Sequence, residues 1–76
     1  MRLTETGIDQ TVRISDLAGA HALVRKRLSD LGIIEGTMVC MKKYLPFKGP
    51  CTIDAGGLWI ALRHREANRI LVEDVC

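Results

Sequence analysis

Aromatic residues are scarce in this chain: one tryptophan, one tyrosine and one phenylalanine make up 4% of it. That scarcity argues against a single-strand nucleic-acid platform, which stacks bases on successive rings. Charge excess is small as well. Eleven Lys and Arg against nine Asp and Glu leave a formal net charge of +2, whereas a nucleic-acid binder of this size carries a stronger basic excess on one face. Long apolar runs are missing. Those around Leu58–Leu62 and Ile70–Val72 fall far short of the roughly 20 residues a membrane helix needs. No charged start followed by a long apolar segment suggests a secretory leader. The expectation is a cytoplasmic protein with no nucleic-acid partner and no direct membrane insertion.

The three cysteines, Cys40, Cys51 and Cys76, form no C-x-x-C pair. An odd number without close pairing is a poor disulfide framework and a poorer closed zinc site. His21 and His64 do not add zinc-ligand spacing. No metal ligand set and no cofactor is expected, with Fe or Zn held between two protomers as the minor alternative. Catalytic motifs are lacking too: no Walker loop, no G-x-G-x-x-G, no H-E-x-x-H and no G-x-S-x-G. The chain reads as a binding module and not as an enzyme.

What is present suits one small folded domain over residues 1–76. The 47% hydrophobic and 26% charged content is ordinary for a soluble globular chain of 76 residues. Three basic clusters, Arg25-Lys26-Arg27, Lys42/Lys43/Lys48 and Arg63/Arg65/Arg69, read as solvated surface.

Periodicity sets the elements. Met1–Gly7 is a lead-in anchored by Leu3. Thr11–Ile14 alternates and predicts a half-buried strand ended by Ser15 and Asp16. Leu17, His21, Val24, Leu28 and Leu31 recur at spacings of four and three, one face of a helix over about Ala20–Leu31. His21 falls on the edge of that face as a packed or half-exposed side chain. Asp30 sits where the helix dipole disfavours an anion, and a bond to an amide of the following turn would account for it. Gly32 is placed to end the helix in the left-handed conformation, with Ile33 or Ile34 packing back on the last turn.

Gly36 opens a second turn, and Thr37–Tyr44 reads as a strand with Val39 and Met41 inside. Leu45–Pro50, with two prolines and a glycine, is a loop. Its Phe47 either caps the core, the preferred reading, or faces a partner. Cys51–Asp54, an Ala55-Gly56-Gly57 hairpin and Leu58–Leu62 follow. Leu58, Ile60 and Leu62 are expected on the inner face and Trp59 on the outer one. Arg63–Asn68 suits one helical turn, and Ile70–Val72 a last strand. The fold expected is mainly β, a small five-stranded barrel with one helix inserted after the first strand.

The order Leu28-x-x-Leu31-Gly32-x-x-x-Gly36-x-x-Val39, the Gly49-Pro50 loop, Gly57-x-x-x-x-Leu62-Arg63, Glu66-Ala67 and Ile70-x-Val72 resembles the FeoA family over nearly the whole chain. Lys48-Gly49 depart from the acidic or small residue the family often carries before this proline. The resemblance implies an SH3-like barrel. It also implies an accessory role in ferrous iron uptake, by contact with the cytoplasmic, GTP-binding part of the transporter FeoB. The alternative it implies is a transition-metal-binding or metal-sensing domain related to the C-terminal domain of iron-dependent repressors. Leu28, Leu31, Gly32, Gly36 and Leu62 carry over as fold residues. Ile34, Tyr44, Phe47 and Trp59, rimmed by Lys42, Lys48 and Arg63, are the candidate partner-binding residues. A homo-oligomer stays open.

Overall fold

The computed structural model describes residues 1–75; the third cysteine, Cys76, lies outside the described residues. Alternation dictates five strands: β1 Thr11–Asp16, β2 Met38–Tyr44, β3 Cys51–Ala55, β4 Leu58–Leu62 and β5 Leu71–Asp74. Helix α1, Ala22–Asp30, follows β1, and a one-turn helix α2, His64–Ala67, separates β4 from β5. All neighbours are antiparallel, in the order β4-β3-β2-β1-β5. Register shifts between Ile14 and Asp16 and between Met41 and Lys43 interrupt β1 and β2, and such bulges bend and twist a strand. The sheet and helix are those expected of an SH3-like domain.

Inward residues of every strand meet in one cluster. Val12, Ile14, Val39, Met41, Ile53, Leu62 and Val72 are all buried there, with Val24 and Leu28 from α1 and Leu3 from the N-terminal turn. Each fully buried aliphatic side chain contributes about 1.5–3 kcal/mol relative to exposure. Leu3 anchors a segment that covers the free edge of β5: Val72 N–H donates to Met1 O at 2.7 Å and Leu3 N–H to Ile70 O at 2.9 Å.

The end of α1 follows from its sequence. Gly32 takes φ +83°, a left-handed conformation that glycine adopts without a Cβ clash. Its N–H donates to Ser29 O at 2.9 Å, and Ile33 N–H donates to Leu28 O at 2.8 Å. These two bonds satisfy carbonyls the helix leaves open, and the residue after the glycine packs on the one that starts the motif. Ile33 and Leu28 are accordingly buried in the same core, whereas Ile34 is 57% exposed. The following turn is then tied to β1: Gly36 N–H donates to Ile14 O at 2.7 Å, and Ile14 N–H to Thr37 O at 2.9 Å.

Several expectations are corrected. The helix starts at Ala22, because His21 caps it: the imidazole Nδ1 accepts from Leu23 N–H at 3.2 Å and the side chain is exposed. Leu31 stands past the last helical residue and is 42% exposed, off the buried stripe. Asp30 pairs with Lys26 at 3.2 Å, one turn earlier, in place of a turn amide. Leu58 is exposed at the hairpin mouth, although Ile60 and Leu62 of its face are buried. Phe47 does not cap the core: it is 100% exposed.

Candidate interaction surface

The β3–β4 hairpin is a two-residue turn whose Gly56 and Gly57 take φ +63° and +96°. It sets the pairs Ala55↔Leu58, Asp54↔Trp59 and Ile53↔Ile60. Ile53 and Ile60 point to the core, so Trp59 is turned outward and is 62% exposed. Across the sheet Trp59 pairs with Asp54, and Asp54 with Cys40. Side chains two apart share a face, so Met38 lies on that outer face as well. Met38, Cys40 and Asp54 line a shallow depression of about 230 Å³ beside Gly56 and Gly57. Ile34 leads into the start of β2, at this same end of the sheet.

The other two candidates lie elsewhere. Tyr44 closes β2 at the opposite end, opposite Cys51. It is half-buried, and its hydroxyl bonds the carbonyl of Thr6, with Leu3 O also in reach at 3.3 Å. Burial, with a further contribution from Cys51, pushes its phenol above the usual value. It is built into the fold, holding the N-terminal segment. Phe47 projects from the β2–β3 loop beyond Tyr44. The four candidates therefore divide between the two ends of β3. Met38 joins Trp59 on the outer face although it was not singled out from the sequence; the alternation that turns Cys40 outward was the signal for it.

A second feature runs along α2. Gly19, Ala20, His21 and Val24 face Arg65, Glu66 and Arg69 across a groove of about 510 Å³. Lys48, Pro50, Arg63, His64 and Arg65 line an adjoining depression of about 480 Å³. Glu66 is the one carboxylate in either lining. Its oxygen accepts from Arg63 N–H at 2.9 Å and pairs with Arg27 at 3.3 Å. Partial burial works to raise its pKa, but the Arg63 amide and the Arg27 and Arg63 charges outweigh it and hold the carboxyl below its ordinary value of 4.5.

Ligand chemistry is dispersed. Cys51 is buried in the core, and burial pushes its thiol above the usual value; a thiolate is what attacks or ligates. Cys40 is half-buried on the outer face. His21 is occupied as a cap. Among the described residues no three His, Cys, Asp or Glu side chains gather as a metal site. No helix among them is long and apolar enough to cross a membrane.

Comparison with known proteins agrees with the fold. The FeoA domain family model matches residues 1–74. The solution structure of the FeoA protein from Chlorobium tepidum is 26% identical, with a TM-score of 0.91, covering 100% of this chain and 71% of that one. Iron(II) transport protein A from Clostridium thermocellum is 29% identical, with a TM-score of 0.86; the match covers 99% of this chain and 46% of that longer one. The Stenotrophomonas maltophilia FeoA complexed with zinc, described as a procaryotic SH3 domain protein, is 30% identical over 96% of this chain and 89% of its own, with a TM-score of 0.73. No curated protein matches at a significant level. With the five antiparallel strands, the inserted helix and a family match spanning almost every residue, this chain belongs to the FeoA family, which is associated with ferrous iron transport.

Proposed function

We propose that this chain is a cytoplasmic accessory protein of ferrous iron uptake, which docks on the cytoplasmic, GTP-binding part of a FeoB-type transporter. The observation that supports this reading best is Trp59, a large aromatic held outward on a paired strand with Met38 on the same face. Rigid, exposed aromatics are over-represented among the residues that dominate binding energy, and Asp54 and Lys42 supply a polar rim on that face. Ile34 extends the apolar end. Tyr44 supports the opposite end from within the fold, and Phe47 is the exposed contact there. A pull-down with the transporter's cytoplasmic domain tests it: the native chain should retain the domain and Trp59→Ala should release it. Equal retention by both would remove Trp59 from the interface.

A second reading, a zinc- or iron-binding domain, is favoured by the zinc complex of the S. maltophilia relative. Among the described residues no ligand set gathers within one chain, and in this reading two protomers complete the site together. Titration calorimetry with Zn(II) and Fe(II) decides: stoichiometric heat together with metal-dependent dimerisation supports it, and a flat titration removes it.

A further inference from the structure

We propose that the basic groove along α2 is a second docking surface, and that it takes an acidic, extended segment of a partner protein. It rests on the docking reading above only for the identity of that partner. Arg65 lines both depressions, so the two adjoin at that residue. Arg69 lies toward one end, and Lys48 and Arg63 toward the other. These four cations come from the β2–β3 loop, the cap of α2, α2 itself and the segment after it. None forms a salt bridge among the described residues, whereas Arg13, Lys26, Arg27 and Lys42 each form one; Arg2, Arg25 and Lys43 form none either, but they do not line the groove.

Among the described residues, carboxylates other than Glu66 do not line the groove. Glu5, Asp16, Glu35 and Asp54 accept from amides of Arg2, Ala18, Leu17 and Gly57. Glu66, the only acid lining the groove, pairs with Arg27, accepts from the Arg63 amide and feels the Arg63 charge. What remains is a strip of four cations against one carboxylate, itself paired with Arg27, on a chain of small net charge. Such a strip repels itself in the folded state and steers a negative partner.

Shape selects the occupant. Lys48, Arg63 and Arg65 share one depression and Arg65 and Arg69 the other, so the positive charge is spread over both and not confined to one. Ala20 and Val24 give the first depression an apolar floor and Pro50 lines the second. An extended acidic chain can set carboxylates in both depressions, with their methylenes on the floor. Phe47, wholly exposed beside Lys48, offers a flat apolar contact to a residue flanking the acidic run.

The test is fluorescence anisotropy with a labelled peptide of alternating glutamate and alanine, against a glutamine–alanine control. The native chain should bind the acidic peptide alone, more weakly as salt rises. Arg65→Glu, an exposed change without an internal partner to lose, should weaken binding about tenfold, and Lys48→Glu with it further. Lys43→Glu, the same charge change away from the groove, should bind as the native chain does. Circular dichroism confirms that each variant is folded. No binding, equal loss in Lys43→Glu, or displacement of the peptide by inorganic pyrophosphate at lower concentration than by free acidic peptide would overturn the proposal. Trp59→Ala should leave peptide binding intact. The pull-down therefore fails separately if the outer-face reading is wrong.

Discussion

The two loops at the ends of β3 treat their residues in opposite ways. The β3–β4 hairpin assigns both left-handed positions to glycines, Gly56 and Gly57, and delivers Trp59 onto a paired strand. The β2–β3 loop assigns left-handed positions to Phe47 and Lys48, at φ +59° and +57°. For side-chain-bearing residues that conformation costs about 1–2 kcal/mol each. One aromatic is thus fixed by an unstrained turn. The other is held in solvent by a strained one, with no core contact to offset the strain. Strain of this kind clusters at functional sites, and Lys48 of this loop lines the basic groove.

The comparison can be broken at the hairpin. A Cβ at Gly57 would meet nothing within 4 Å, so the cost of Gly57→Val is torsional, about 2 kcal/mol, read as a lower urea midpoint. A smaller loss at the other end would show what supports the strained loop. Tyr44→Phe, which removes the hydroxyl bonded to the Thr6 carbonyl, should destabilise by about 1 kcal/mol. Phe47→Gly should have the reverse sign. It relieves the left-handed backbone and forfeits no burial, and after the added freedom of the unfolded glycine the net gain is about 0.5 kcal/mol.

The smallest effect concerns α2. The Glu66 carboxyl is held below 4.5, so its contribution is fully present above that value and is lost as pH falls through the lowered pKa. An acid titration of stability should be shallower in Glu66→Gln than in the native chain.

Legibility in the sequence followed range of interaction. The turn at Gly32 could be read because every partner in it, Ser29, Leu28 and Ile33, lies within five residues. The β3–β4 hairpin and the outward Trp59 were legible for the same reason. Leu31 misled because a helical stripe does not say where the helix ends. His21 misled because a histidine serving as a cap has no strong sequence preference behind it. Phe47 could not be placed, since its direction depends on left-handed torsions in a loop where glycine was the expected carrier. The Arg63/Arg65/Arg69 cluster was visible as charge. Its union with Lys48, fifteen positions earlier across two strands, exists only once β3 and β4 fold back.

The most direct measurement is amide chemical-shift mapping of the labelled chain titrated with the cytoplasmic domain of a FeoB-type transporter, the partner proposed above. The account predicts saturable shifts concentrated at Met38, Cys40 and Asp54–Trp59, with a second group at Lys48 and Arg63–Arg69. No shifts, or shifts confined to the exposed side of α1 around Leu23 and Lys26, would contradict it.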